Sequence, residues 1–277
     1  MRSTGSVSSR PVAGASLRPL VDVTSHDDTK AQVTAGVLVS LYEESCEATA
    51  VYYSPPLESL GESAWAALPL FERQLLNARK SLQRTKSTAR RYAVANLLTV
   101  NWTLTTEGAG CFDRRVMIRR TNRFLSALRA RHEMSGPFPY LYVLELHPGG
   151  HGYHVHLLLQ ERFLDKHMMQ RMWGAIVFFS RHDRDQNGNK VSAVNAARIA
   201  AGYLLKYVSK DWEAGSGQHC YERSTGFNHP PRRRLCRSFA EARMWLRIQR
   251  LDAPVVALFT SAEVEDWHGP PVEWMAW

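Results

Sequence analysis

Cysteine is scarce in this chain of 277 residues, lysine is outnumbered, and long apolar runs are missing. The four cysteines, Cys46, Cys111, Cys220 and Cys236, show no CxxC spacing, which argues against a disulfide framework and for reduced thiols. His219, Cys220, His229 and Cys236 are grouped in sequence but fit no standard zinc spacing. No apolar stretch is long enough to span a bilayer, and residues 1–35 are rich in Ser, Arg and Thr with no hydrophobic signal core. A soluble, cytoplasmic protein with no membrane partner is expected. There is no internal repeat and no G-x-x-x-x-G-K-[ST] loop, so a P-loop helicase motor is absent from this sequence.

What is abundant is positive charge. The formal net charge is +9, and 28 of the 35 basic residues are arginine, whose planar fork suits phosphate oxygens. A polyanionic partner follows. Residues 1–35 read as a flexible segment and 36–91 as a mixed region, with "GVLVSLY" as a strand or helical turn. A basic helix follows, ending in "ARKSLQRTKSTARR", a phosphate-facing element or an ordinary solvated helix.

From about residue 92 the pattern sharpens. "AVANLLTVNWTLTT" suits a buried strand. "RRVMIRRTNRFLSALRARH" sets Met117, Phe124 and Leu128 on one helical face, with Ile118 and Leu125 beside them and arginines elsewhere. "YLYVLEL" and "YHVHLLLQ" form a hairpin, followed by helices around "DKHMMQRMWGAI" and "NAARIAAGYLLKYVSKD". The order β, α, β, β, α, a further strand and α predicts an α+β fold with a sheet layered by helices. Residues 92–215 would be its core, and 216–277 a basic, Trp-containing extension packed on or beside it.

Within the hairpin, His154 and His156 are two residues apart and therefore share a face of their strand. If the chain turns at Gly149 and Gly150, Glu145 falls opposite His154, and longer even loops keep that register. Leu144, Leu146, Tyr153, Val155 and Leu157 would then face the core. Two imidazoles and a carboxylate suit a divalent ion, Mg²⁺ or Mn²⁺, with His147 or His151 as alternatives to Glu145.

A second constellation is "YLLKYVSK", two consecutive copies of Tyr-x-x-Lys. On a helix this places Tyr203 and Tyr207 one turn apart on one face, with Lys206 and Lys210 likewise paired. The alternative is an amphipathic helix with its tyrosines in the core and its lysines snorkelling.

Together these motifs resemble the HUH endonucleases, in particular the two-tyrosine rolling-circle replication initiators (Rep proteins) of phages and plasmids. "NWTLTT" is similar to the family's first motif, "YHVHLLLQ" to its metal motif and "GYLLKYVSK" to its catalytic helix, over about residues 97–211. The resemblance implies a ferredoxin/RRM-like central antiparallel sheet of about five strands flanked by helices. It also implies a metal-dependent nick in single-stranded or supercoiled origin DNA in a bacterial cell, through a 5′-phosphotyrosine, with a host helicase and DNA polymerase as partners. Tyr203 and Tyr207 would be nucleophiles, and Lys206 and Lys210 would hold phosphate or phenolate. Arg114, Arg115, Arg119, Arg120 and Arg123, with Arg232, Arg233 and Arg234 in "PRRRLCR", would contact DNA phosphates. An HUH transposase or relaxase shares the motifs. A histidine-triad-like nucleotide phosphodiesterase needs a further alternating histidine where Leu158 stands, and a non-catalytic nucleic-acid-binding domain leaves the tyrosine doublet unexplained.

Overall fold

A computed structural model describes residues 35–53, 69–131, 137–147, 149–162, 165–184, 187–213, 221–250, 253–265, 267 and 269–277, with only the backbone described for 209–213. The segment expected to be flexible, 1–35, lies outside the described residues except for Ala35. His219 and Cys220 of the possible zinc cluster also lie outside them.

In chain order the elements are β1 (Gly36–Tyr42), β2 (Glu47–Tyr53), α1 (Leu70–Ala95), β3 (Val100–Leu104), α2 (Arg114–Arg131), β4 (Leu141–Leu146) and β5 (Tyr153–Leu159). They continue with α3 (Lys166–Trp173), β6 (Val177–Arg181), α4 (Ala193–Glu213), β7 (Glu222–Arg223), β8 (Arg232–Cys236), α5 (Phe239–Gln249), β9 (Ala257–Thr260) and β10 (Val272–Ala276). The strands form two five-stranded antiparallel sheets, ordered β6-β3-β5-β4-β7 and β8-β1-β2-β10-β9. The fold is α+β, and the first sheet with its helices matches the expected HUH-type layering.

That first sheet is covered on both faces, so its inner strands are apolar on both sides. Trp102, Tyr142, Leu144, Val155 and Leu157 pack with Met117, Phe124 and Leu128 of α2 and with Met169 and Trp173 of α3. On the opposite face, Leu141, Val143 and Leu158 meet Ala89 and Ala93 of α1 and Ala200, Ala201 and Leu204 of α4. Alanines on both helices let α1 and α4 approach closely. Leu146, expected in the core, is instead 49% exposed, because it closes β4 where the chain leaves the sheet for the hairpin loop.

The helices that matter for the site begin on side-chain caps. Asp113 accepts from the N–H groups of Arg115 and Val116 at 2.8 and 3.1 Å to start α2, and Ser192 Oγ accepts from Asn195 N at 3.3 Å to start α4.

The second sheet joins residues near both ends of the described chain: β1 pairs with β2 and β8, and β2 pairs with β10. Its core of Val37, Val39, Leu41, Ala48 and Ala50 packs on Ala242 and Leu246 of α5. Polar ties fix it to the helices of the first sheet. The buried Glu47 carboxylate on β2 binds Arg90, at 3.1 Å, and Arg91 of α1. Arg198 of α4 donates to the carbonyls of Ser45, Cys46 and Trp277 at 2.8–3.1 Å. The basic end of α1 thus carries structural arginines turned toward the second sheet.

Candidate active site

β5 is the middle strand of the first sheet, and alternation turns His154 and His156 toward α4. The hairpin register is the one the glycine turn predicts, with Glu145 opposite His154 and Val143 opposite His156. His147 N–H donates to Gly152 O at 3.0 Å and Gly150 N–H to His147 O at 3.1 Å, so the loop is longer than two residues but even, and the register holds. Gly152 has φ +74°, and a Cβ there would stand 2.4 Å from the Cys111 backbone N. Only glycine therefore lets the 147–152 loop seat against the loop before α2.

The Glu145 carboxylate reaches diagonally to the second histidine. Its Oε2 lies 2.9 Å from His156 Nε2, and both residues are buried. The other ring nitrogen, Nδ1, lies 3.3 Å from Thr103 Oγ1 of β3, so His156 is held from both sides. Thr103 lies within "NWTLTT", but nothing in the sequence singles it out from its neighbours; the strand pairing Thr103 to His156 does. His154 stands nearer the hairpin end, its ring 4.7 Å from that of His147, which in turn lies 5.1 Å from His151. Burial, reinforced by the neighbouring His147, pulls the His154 pKa below its ordinary value against an opposing influence from Glu145, favouring the neutral imidazole that binds metals.

Above this row lies α4. Tyr207 stacks flat on His156, ring centroids 3.7 Å apart at an interplanar angle of 7°, and donates its hydroxyl to Tyr203 Oη at 3.0 Å. Burial is the main cause that pushes the Tyr207 pKa up, helped by the hydrogen bond to Tyr203 and by the charge of Glu145. Tyr203 is the outer of the two, 36% exposed. Lys206 Nζ sits 5.4 Å from the Tyr203 ring centroid, and the His182 ring lies 5.6 Å from it on the other side. His182 follows β6 directly, and no motif marks it. The Lys210 side chain lies outside the described residues.

The predicted arginines are dispersed. α2 packs on the sheet face opposite the tyrosines, with Arg115, Arg119 and Arg123 exposed and Arg114 partly buried. Arg120 donates to Trp173 O at 3.0 Å and lies 4.3 Å over its ring. Arg232, Arg233 and Arg234 form β8 of the second sheet: Arg232 pairs with Glu43 at 3.1 Å, Arg234 with Glu241 at 3.5 Å, and Arg233 is exposed.

Helix, paired strands and first-motif strand all fall in one continuous stretch. Residues 99–212 match the family model of the replication-associated protein ORF2. The matched segment, from the start of β3 through α4, supports the HUH-type Rep identification and covers the tyrosines, histidines and Glu145 alike. No curated protein and no solved structure matches the chain. Among the described residues, no helix of this Rep-like chain is long and apolar enough to cross a membrane. No three His, Cys, Asp or Glu side chains among them form a ready-made metal cage. The donor chemistry nevertheless fits a divalent ion, since a buried carboxylate and two imidazoles share one face.

Proposed function

We propose that this chain initiates rolling-circle replication by cutting single-stranded origin DNA through Tyr203. The observation that carries the reading is the pair of tyrosine hydroxyls, 3.0 Å apart, mounted over the His156–Glu145 pair. An ordinary binding domain or a water-activated hydrolase needs neither phenol.

Tyr203 is the better placed to meet a phosphate, being the more exposed, and Tyr207 donates its proton toward the Tyr203 oxygen. A donated hydrogen bond stabilises negative charge developing on that oxygen. In the cut, the Tyr203 oxygen forms a bond to the scissile phosphorus and the bond from phosphorus to the 3′-oxygen breaks. The products are a 5′-phosphotyrosine and a 3′-hydroxyl that takes up a proton and serves as primer. Because one phosphodiester replaces another, the strand is kept ready for rejoining. Tyr207, one turn along α4, serves the second cut, and Lys206 holds the phosphate, with Lys210 in the same role.

His154, His156 and Glu145 would hold Mg²⁺ or Mn²⁺, which when bound supplies charge neutralisation at the non-bridging phosphate oxygens. His156 is suited to such a role because Thr103 can accept from or donate to its Nδ1, leaving Nε2 available in the one tautomer. A host helicase and polymerase would complete replication in the bacterial cytoplasm, because the sequence holds no P-loop motor.

The test is incubation of the protein with single-stranded replicon DNA and Mn²⁺, followed by denaturing electrophoresis. A protein–DNA adduct is expected, lost in chelator and in His156→Ala. Undiminished cutting in chelator would contradict the metal assignment, and cutting by the Tyr203→Phe/Tyr207→Phe double variant would replace the transesterase with a hydrolase.

A further inference from the structure

β6 is the outer strand of the nuclease sheet, and the face it turns toward α4 is uncovered. The register pairs Phe178 with Thr103, and Thr103 with His156, so one cross-strand row runs from the sheet edge to the buried histidine. Ile176, two residues earlier, projects from the same face, and its carbonyl accepts the Thr105 N–H. Ile176 and Phe178 are 54% and 56% exposed. Phe179, on the opposite face, leans instead on Trp102 with ring centroids 5.0 Å apart. The surroundings are cationic: Lys166 Nζ lies 5.9 Å from the Phe178 ring, and Arg181 at the end of the strand is exposed. His182 continues the strip to Tyr203.

An exposed apolar edge is an association liability that soluble proteins ordinarily blunt. Here it lies beside the outer tyrosine and under a lysine, a pairing of flat apolar surface with positive charge that suits a base and its phosphate. Adjacent strands lie about 4.8 Å apart, which puts Phe178 on the order of 10 Å from His156, a span that a short stretch of single strand bridges.

We propose that Phe178, flanked by Ile176, is a stacking platform for a nucleobase next to the scissile phosphate, with Lys166 beside the adjoining phosphate. The platform rests on the reading of Tyr203 as the DNA nucleophile. It adds a point of strand placement that the tyrosines, histidines and Glu145 do not supply.

The test uses the full-length protein, fluorescent oligo(dT), and the variants Phe178→Ala and Phe178→Tyr, whose exposed site leaves the core undisturbed. Stacking predicts binding weaker by roughly tenfold in Phe178→Ala and near-normal in Phe178→Tyr. It also predicts a photo-cross-link from 5-iodouracil-substituted strand to Phe178 in the unmodified protein. Equal affinity of Phe178→Ala and the unmodified protein, with adduct formation intact, overturns the platform while leaving the nicking site standing. Normal binding with no adduct from the unmodified protein overturns the nicking site instead. A dimer that dissociates in Phe178→Ala, with unchanged affinity for oligo(dT), overturns the platform by assigning the strip to a second copy of this chain.

Discussion

His156 is the most constrained residue of the site: Glu145 at Nε2, Thr103 at Nδ1 and the Tyr207 ring on its face. With Nε2–H donating to Glu145, Thr103 donates to Nδ1. With a cation at Nε2 the proton moves to Nδ1 and Thr103 accepts it. A hydroxyl serves both states, and a methyl serves neither. Thr103→Val is therefore expected to weaken Mn²⁺ binding by about tenfold, with Thr103→Ser close to normal, as read by electron paramagnetic resonance of free Mn²⁺. Tyr207→Phe removes the donor to Tyr203 and is expected to keep the first cut, slowed by about tenfold, while impairing the second transfer; single-turnover adduct kinetics separate the two. At this scale the hairpin was legible, since Gly149 and Gly150 fix which residue faces which. The diagonal reach of Glu145 to His156 was not, because register fixes Cα partners and leaves side-chain torsions free. Thr103 and His182 emerge only from strand pairing.

The decisive element is α4, which must hold two tyrosines above the histidines. Its alanine-rich side lies against α1, and Arg198 ties it to the second sheet through the carbonyls of Ser45, Cys46 and Trp277. Arg198→Ala leaves those acceptors without their donor and is expected to cost about 1–3 kcal/mol, seen as a lowered thermal midpoint. Glu47→Gln is expected to destabilise by a comparable amount, because Arg90 and Arg91 converge on that carboxylate. The helices and the β4–β5 hairpin announce themselves through local periodicity and turn residues. The second sheet does not, since Leu38 of β1 pairs with Leu235 of β8 across nearly the whole chain, and no local period encodes such a partner. "PRRRLCR" accordingly reads as a loose basic arm in sequence, whereas its arginines stand on a paired strand.

For the molecule as a whole, the net charge of +9 overstates what is free to meet DNA. Arg90, Arg91, Arg120, Arg198, Arg232 and Arg234 have intramolecular partners, and the exposed arginines of α2 lie across the sheet from Tyr203. Binding to single strand should still weaken with salt, by about 0.7 in log K per log salt for each neutralised phosphate. Lys206→Ala is expected to reduce that slope by about one such contact, and Arg115→Ala or Arg123→Ala to reduce it less, measured by fluorescence titration over a range of salt. A larger effect from the α2 arginines would mean that the strand wraps around the sheet to its other face.

The measurement that bears most directly on the proposed activity is mass-spectrometric mapping of the protein–DNA adduct after nuclease digestion. A nucleotide joined through its 5′-phosphate to Tyr203 is the predicted result, with the signal lost in Tyr203→Phe/Tyr207→Phe while DNA binding persists. DNA cut without any tyrosine-linked nucleotide, leaving ends made by water, would contradict it.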